Sequence, residues 1–352
     1  MGLNVRKKVS ETQFNDYYAA LRRKIIEPSA YSQSIMFAGG CFSANIKTSS
    51  NVLYEFIRKE FAFVLSETLL EHDFLLLTEN RDLREFEKPE AYRDAGKIEF
   101  LCEDVGVISI DYDNNVLLAH SYKKKESILL TRDLSDLAFI LRQGHLFVHL
   151  VNFWARQKNL LLLHCAAISA SKEQPGVLIC GRGGRGKSTL AIAALLEGCS
   201  YISDDYLLLR AIRPGLVEVY PIYSIVTMSK LSYDSMKGFD GEFIGISPWT
   251  GKGVYSIRNY KNAVAPKMQA SKVVFPNICN AKQPSIAPCS SQQPISHIVT
   301  STLSQLYGGI DRAQVPVFMR ALAGLKYYQY DLTADIRGNA KFLADFINLK
   351  VG

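Results

Sequence analysis

Apolar residues at helical spacing open the chain. Between residues 10 and 26 the apolar positions are Phe14, Tyr17, Tyr18, Leu21 and Ile25. Ser10 and Gln13 stand three residues apart at the start of this run, which is the spacing of a capping box. The pattern predicts an amphipathic helix over residues 10–26 that ends before Pro28. A second, shorter helix is predicted over residues 51–60, again with its apolar positions on one side.

Short β-branched and aromatic runs follow. They predict strands over residues 73–78, 97–102, 105–110 and 116–122. Asp113-Asn114-Asn115 has turn chemistry between the last two runs and predicts a hairpin there. Helical spacing then returns and predicts one long helix over residues 135–158.

From residue 160 the predicted order changes to strand, glycine-rich loop, helix and strand. Strands are predicted over residues 160–168, 176–180 and 201–203, and a helix over residues 187–196. This order is typical of an α/β nucleotide-binding core. We therefore expect two domains, an α+β domain over residues 1–155 and an α/β domain over residues 156–352.

Beyond this predicted core, strands and turns alternate. Strands are predicted over residues 216–220, 225–229 and 270–276. Residues 277–294 are rich in Pro, Ser and Gln and are predicted to form an irregular loop. A terminal helix is predicted over residues 335–349.

The composition is that of a folded protein. The 352 residues are 48% hydrophobic and 21% charged, and no apolar run reaches the length of a membrane span. Seven scattered cysteines without a Cys-x-x-Cys pair argue against a disulfide framework or a zinc site. The basic start, Met1 to Lys8, has no apolar segment behind it, unlike a secretory signal. These features predict a cytoplasmic protein with no membrane partner.

The net charge of +7 is spread along the chain. Its one local run, Lys123-Lys124-Lys125, is typical of a polar turn after a strand. No series of helicase motifs and no basic stripe with interleaved aromatic residues is present in the sequence. We therefore expect no nucleic-acid partner.

A glycine-rich loop carries the sharpest chemical signal. Residues 181–188 read Gly-Arg-Gly-Gly-Arg-Gly-Lys-Ser and match the Walker A pattern at every fixed position, between a strand-like and a helical run. Glycines let backbone N–H groups turn inward around phosphates, and the following helix adds its positive end. Lys187 would reach the β- and γ-phosphates, and the Ser188 hydroxyl would ligate Mg²⁺. The alternative is a glycine-rich turn that binds nothing.

Two carboxylates follow the loop helix, at the end of the next predicted strand. Asp204 and Asp205 stand where a metal ligand and a base for an incoming hydroxyl are needed. The alternative is a helix cap or a loop. His164, in the strand before the loop, is a further candidate, although a lone histidine in an apolar strand is more often a satisfied core residue.

These features, in this order, resemble the C-terminal kinase domain of the HPr kinase/phosphorylase family. The resemblance lies in Leu163-His164-Cys165-Ala166-Ala167, in the loop at residues 181–188, in Ser203-Asp204-Asp205 and in Lys272-Val273-Val274-Phe275-Pro276. It extends over about residues 155–350 and is nearest to relatives found in bacterial peptide-modification gene clusters. It implies an α/β fold of the type shared with phosphoenolpyruvate carboxykinase, and transfer of a γ-phosphoryl group from ATP with Mg²⁺ to a serine-type hydroxyl. It also adds weight to His164 as an active-site residue.

The sequence departs from the family after the aspartate pair. The glycine-containing signature of the bifunctional enzymes has no match over residues 211–230, which puts the reverse phosphorylase reaction and HPr as substrate in doubt. The expected acceptor is the hydroxyl of a peptide, a protein or a small molecule, with maturation of a ribosomally made peptide among the cases. The competing hypothesis is a regulatory protein that binds a nucleotide without phosphotransfer. Oligomeric state stays open, a homo-oligomer included.

The expected site falls into three sets of residues. The catalytic set is Asp204, Asp205, His164 and Lys187. The nucleotide-binding set is Gly181, Arg182, Gly183, Gly184, Arg185, Gly186, Lys187, Ser188 and Thr189. The metal-binding set is Ser188, Asp204 and Asp205. ATP and Mg²⁺ are the expected cofactors.

Overall fold

The fold is that of a computed structural model. It describes residues 3–25, 31, 33–39, 42–66, 73–83, 90–132, 134, 136–142, 145, 147–248, 250–279, 281–303, 306 and 315–348. The chain divides into two compact units. The N-terminal unit comprises residues 1–38, 42–58 and 65–157, and the C-terminal unit comprises residues 39–41, 59–64 and 158–352. Together they make a mixed α/β protein with three sheets in the described residues.

One sheet organises the first part of the chain. Its strands are β1 (Leu3–Lys8), β2 (Gln33–Gly39), β3 (Phe42–Thr48), β4 (Leu65–Ser66), β5 (Phe74–Asn80), β6 (Ala95–Cys102), β7 (Gly106–Asp111), β8 (Val116–Ser121) and β9 (Glu126–Thr131). Their order across the sheet is β1-β6-β7-β8-β9-β5-β3-β2-β4. The helices are α1 (Glu11–Arg23), α2 (Asn51–Glu60), α3 (Leu137–Arg142) and α4 (Val148–Gln157).

Local sequence signals explain the first helices and the central hairpin. The Ser10 side chain accepts from the Gln13 backbone, and the Gln13 side chain accepts from the Ser10 backbone, so the predicted capping box is confirmed at the start of α1. Helix α2 has the predicted bounds. Strands β7 and β8 pair antiparallel with Asp111 opposite Val116, which confirms the predicted hairpin.

The prediction of one long helix over residues 135–158 is wrong. The structure has two helices there, α3 and α4, and His145 between them accepts the N–H of Val148 rather than continuing a helix. The sequence places Gly144 in the interval, and glycine costs about 1 kcal/mol in a helix interior relative to alanine. Ser135, the predicted first residue, lies outside the described residues.

A second sheet organises the C-terminal unit. Its strands are β10 (Leu161–Leu163), β11 (Ala166–Ser169), β12 (Gly176–Ile179), β13 (Ser200–Ser203), β14 (Leu207–Arg213), β15 (Leu216–Tyr220), β19 (Met268–Ile278), β20 (Ser285–Pro288) and β21 (Lys326–Leu332). A small third sheet has the order β16-β18-β17, from β16 (Ile225–Met228), β17 (Glu242–Ile246) and β18 (Gly253–Ser256). The helices are α5 (Lys187–Leu196), α6 (Lys230–Ser235), α7 (Gln292–Leu303), α8 (Val315–Leu322) and α9 (Ile336–Asn348).

The order of the second sheet sets one of its edges. Strand β12 lies between β19, to which it is parallel, and β11, to which it is antiparallel, and β11 also pairs antiparallel with β13. Ala166 pairs with Ile179, and Ala167 pairs with Ser203. The start of β11 and the ends of β12 and β13 therefore meet at one edge of the sheet. The residues that precede β11 and follow β12 and β13 are gathered at that edge.

Two further predictions for this unit are corrected. The strand predicted over residues 160–168 is interrupted at His164 and Cys165, because β10 pairs with β14 whereas β11 pairs with β12 and β13. The loop predicted over residues 277–294 contains β20, which pairs with β21, and the start of α7. The terminal helix is confirmed over Ile336–Asn348, and Leu349 lies outside the described residues. Among the described helices, none is long and apolar enough to cross a bilayer.

Candidate functional site

The glycine-rich loop joins β12 to α5 at the gathered edge of the second sheet. Three of its glycines have a backbone that other residues adopt only with strain, with φ of 148° at Gly181, 79° at Gly184 and 88° at Gly186. Helix α5 begins immediately afterwards at Lys187. The first N–H groups of an α-helix have no partner within the helix, so α5 brings unpaired donors and a partial positive charge to the loop.

Lys187 is held within the loop. Only 6% of the residue is exposed. Its Nζ donates to the Gly181 carbonyl oxygen at 2.9 Å and lies 3.5 Å from the carbonyl oxygen of Arg182. The ammonium therefore lies across the loop that would enclose a phosphate. Its N–H groups now donate to carbonyl oxygens, and they are the donors that phosphate oxygens would use.

Asp204 is a buried carboxylate without an adequate partner. It has no exposed surface, and neither of its oxygens accepts a hydrogen bond of ordinary geometry within the described residues. Burial, and secondly the charge of Asp205, raise the pKa of Asp204 to about 6. The nearby Ser188 hydroxyl, the Asp205 N–H and Lys187 act in the opposite direction and lower it. A buried unsatisfied polar group in a native fold calls for an explanation such as a bound ion.

Asp205 is presented by a strained turn. Its φ of 61° lies in the left-handed region, and the Tyr206 N–H donates to the Asp204 carbonyl oxygen at 2.7 Å, so Asp205 is the central residue of a γ-turn. The Ser203 hydroxyl fastens this turn by donating to the Tyr206 carbonyl oxygen at 2.7 Å. The two consecutive carboxylates therefore have different surroundings: Asp204 is buried, whereas 23% of the Asp205 side chain is exposed.

His164 lies in the break between β10 and β11, beside Asp205. Its Nε2 is 3.7 Å from Oδ1 of Asp205, and its ring stacks on Tyr206 with 5.2 Å between centroids. The His164 N–H donates to the Thr302 hydroxyl at 3.0 Å, which fixes the backbone of the break. The interruption of the predicted strand is therefore what brings the histidine to the aspartate pair.

Most of the predicted residues line one cavity of about 290 Å³, which we call the inner cavity. The predicted residues in its lining are His164, Gly183, Gly184, Gly186, Lys187, Ser188, Thr189 and Asp205. Gly181, Arg182 and Arg185 instead line a cavity of about 690 Å³, the outer cavity, whose lining also includes Phe275, Asn277, His297 and Gln329. Asp204 belongs to neither lining, because it is buried.

Sequence reasoning missed the far wall of the inner cavity. This wall includes Thr227, Ser229, Ser232 and Lys252. The Thr189 hydroxyl donates to Oγ of Ser232 at 3.2 Å, and the Ser229 and Ser232 hydroxyls are 2.9 Å apart. These residues come from β16, the start of α6 and the loop before β18, so no single motif in the sequence contains them.

The residues present fit a Mg²⁺ ion bound together with a phosphate. Within the described residues, no group of three or more His, Cys, Asp or Glu side chains is placed to hold a metal alone. Mg²⁺ in nucleotide sites usually has only one or two carboxylates from the protein, with phosphate oxygens and water as the other ligands. The unpartnered carboxylate of Asp204 and the neighbouring Ser188 hydroxyl supply that kind of donor set.

Comparisons with known proteins leave the family open. No protein-family model matches the chain, and no curated protein matches it. Among solved structures, the HPr(Ser) kinase/phosphatase from Coxiella burnetii matches with a TM-score of 0.29 and 14% identity, over 54% of this chain and 97% of that chain.

Proposed function

We propose that this chain is a phosphotransferase that binds ATP with Mg²⁺ and transfers the γ-phosphoryl group to a hydroxyl of a peptide, a protein or a small molecule. One observation carries the proposal: a phosphate-binding loop, a buried unpartnered aspartate and an Asp205–His164 pair meet at one sheet edge. A protein that only binds a nucleotide needs the loop and the helix terminus. It does not need a carboxylate placed to accept a proton.

The loop and α5 would hold the nucleotide. Backbone N–H groups from Gly183 to Thr189 would surround the phosphates. Lys187 would leave the carbonyl oxygens of Gly181 and Arg182 for the β- and γ-phosphate oxygens, which is an exchange of neutral acceptors for charged ones and is therefore favourable. Ser188 and Asp204 would hold the Mg²⁺ ion, and the bound ion would neutralise part of the charge on the phosphates.

Asp205 would act as the base. Its carboxylate reaches the inner cavity, where it would accept the proton of the incoming hydroxyl as the oxygen bonds to the γ-phosphorus. The bond from that phosphorus to the bridging oxygen breaks at the same time, and ADP leaves. His164, 3.7 Å from Asp205, would orient the carboxylate. Lys187 would stabilise the charge that develops on the phosphoryl oxygens.

Transfer of label from γ-labelled ATP tests the proposal. The acceptors are free serine, free threonine and a serine-containing peptide, each incubated with Mg²⁺ and the protein. Lys187→Ala and Asp205→Asn should lose transfer by about 100-fold or more, because each removes a group that acts on the reacting atoms. Asp113→Asn, which removes an exposed carboxylate from the β7–β8 turn, is the matched control and should transfer normally.

The proposal fails if the wild-type protein binds ATP but labels no acceptor. It fails equally if Asp205→Asn transfers label as fast as the wild type. In the first case the chain is better described as a nucleotide-dependent regulatory protein. Product analysis by mass spectrometry would locate the phosphate on a serine-type oxygen.

A further inference from the structure

The outer cavity lies against the glycine-rich loop but does not include the reacting groups. Besides Gly181, Arg182 and Arg185 of the loop, its walls come from the end of β19, from β21, from the segment after β20 and from α7. Its volume, about 690 Å³, is in the range of cavities that bind small molecules.

The polar lining of the outer cavity is basic. Arg182 and Arg185 are both exposed, His297 faces the cavity from α7, and none of the described lining residues is an aspartate or a glutamate. Arginine side chains present planar sets of N–H donors that match carboxylates and phosphates. A neutral group such as a nucleobase would leave these charges uncompensated. The cavity therefore favours an anion.

A hydrogen-bonded chain orients Arg185. Its Nη1 donates to Oδ1 of Asn277 at 3.2 Å, and Nδ2 of Asn277 donates to Oδ1 of Asp331 at 2.9 Å. Nε2 of Gln329 donates to the same Asp331 oxygen at 2.8 Å. Asp331 thus fixes the amide of Asn277 so that its oxygen points to the guanidinium. A guanidinium has five N–H donors, so one tether leaves several for a ligand.

Two glycines of the loop, Gly183 and Gly184, which we call the crest, have no side chain and have open space around them. Gly183 and Gly184 line the inner cavity and are exposed, and a Cβ added at either would meet no atom within 4 Å. Their neighbours Arg182 and Arg185 line the outer cavity. The stretch from Arg182 to Arg185 therefore contributes residues to both cavities.

We propose that the outer cavity binds the anionic end of the phosphoryl acceptor, so that the acceptor is a hydroxyl compound that also carries carboxylate or phosphate groups. This inference rests on the proposed function, because it takes the bound compound to be the phosphoryl acceptor. The side chains of Arg182 and Arg185 hold the anion, while the backbone N–H groups of the same loop serve the nucleotide. The hydroxyl crosses the crest at Gly183 and Gly184 to reach Asp205.

Binding without nucleotide tests the inference with two matched pairs of probes. The first pair is a fluorescently labelled acidic peptide, Asp-Asp-Ser-Asp-Asp, and its neutral counterpart, Asn-Asn-Ser-Asn-Asn, followed by fluorescence anisotropy. The second pair is glycerate and glycerol, used to displace the acidic peptide. We expect the acidic peptide to bind at least about tenfold more tightly than the neutral one. Displacement by glycerate and not by glycerol would extend the class to small molecules.

The variant Arg182→Gln/Arg185→Gln should lose the preference for the acidic peptide. Arg213→Gln, which removes an exposed arginine at the end of β14, should keep it, and thermal unfolding of both variants checks that they are folded. Equal binding of the two peptides, or a preference that survives in the double variant, overturns the inference. So does displacement of the acidic peptide by MgATP, because the arginines would then serve the nucleotide.

The γ-labelled ATP assay runs alongside and separates the two proposals. A charge preference that depends on the arginines, together with transfer to the acidic peptide, supports both. The same preference without transfer to any acceptor supports the anion site and sinks the phosphotransferase proposal. Transfer that is equally fast to both peptides supports the phosphotransferase and sinks the anion site.

Discussion

Two histidine clusters, one in each unit, show opposite ways of treating polar groups. In the N-terminal unit, Nε2 of Gln157 donates to Nε2 of His120 at 3.0 Å, which leaves Nδ1 of His120 to donate to Oγ of Ser127 at 2.7 Å. Nε1 of Trp154 also donates to this oxygen, at 3.2 Å. His120 has no exposed surface, and burial lowers its pKa to about 3. Every polar atom of the ring is satisfied inside the protein.

In the cluster of the C-terminal unit, by contrast, not every polar atom has a hydrogen-bond partner among the described residues. His164 and Asp205 reach the inner cavity, Asp204 is buried without an adequate partner, and the backbone at Asp205 is strained. Burial of a satisfied network stabilises a fold, whereas an unsatisfied carboxylate and a strained turn cost free energy. The contrast shows that polar groups without partners, more than the presence of a histidine, indicate a site for a ligand.

Replacing each histidine by alanine should give opposite outcomes, and these are the largest effects we expect. His164→Ala should slow phosphoryl transfer by about 100-fold, because in the proposed mechanism its ring would orient Asp205, and it should lower the free energy of unfolding less than His120→Ala does. His120→Ala should lower the free energy of unfolding by about 3 kcal/mol, because it leaves a cavity and removes both hydrogen bonds of the ring, with normal transfer per folded molecule. Denaturant titration and single-turnover kinetics measure both. A His120→Ala protein that is stable but inactive would contradict the comparison.

Asp204→Asn should make the protein more stable and inactive. At pH 8 the wild-type carboxylate is charged, buried and next to Asp205, so its neutral replacement should raise the free energy of unfolding by about 2 kcal/mol. The same change removes the carboxylate that we propose holds Mg²⁺, so metal-dependent nucleotide binding should weaken. Thermal unfolding and calorimetric titration with MgATP measure the two effects. A loss of stability at pH 8 would mean that the fold already satisfies Asp204.

The two clusters should respond to acid with opposite signs. His120 binds its proton only in the unfolded chain between its ordinary pKa and about 3, so protonation costs stability as pH falls through that window. Asp204 binds its proton in the folded chain below about pH 6 but in the unfolded chain only below its ordinary value, so stability rises as pH falls between them. Each contributes at most about 1.4 kcal/mol per pH unit.

Variants separate these two slopes. Between pH 4 and 6, Asp204→Asn should make stability fall more steeply as the pH is lowered. Protonation of Asp204 stabilises the fold in this range and opposes the loss caused by His120, and the variant lacks that contribution. His120→Phe should flatten it. Unfolding free energies measured across this range by urea titration give both slopes. Unchanged slopes in both variants would show that neither group titrates as its burial requires.

Local signals in the sequence were sufficient for the elements that depend on them. The capping box fixed the start of α1, and the bounds predicted for α2 and for α5 are those of the structure. These elements are set by residues close together in sequence. The Walker A spacing belongs to the same class, since a loop between one strand and one helix is a local structure.

Features that depend on distant partners were not visible. An unbroken apolar run at residues 160–168 cannot show that β10 and β11 have different neighbours, yet that difference moves His164 out of a strand. The serines and the lysine of the far wall come from separate elements. The unmet carboxylate of Asp204 depends on its surroundings in three dimensions. A sequence pattern contains none of these.

The smallest effects on stability should come from the left-handed residues of the two units. Lys125, in the turn between β8 and β9, has a φ of 51°, and Asp205 has a φ of 61°. Glycine adopts this backbone without a clash but has more freedom to lose on folding, so Lys125→Gly should stabilise by less than about 1 kcal/mol. Asp205→Gly should stabilise more, because it also removes a charge beside Asp204. Only Asp205→Gly should abolish transfer. An Asp205→Gly protein less stable than the wild type would show that its carboxylate supports the fold, as His120 does, and the contrast between the clusters would fail.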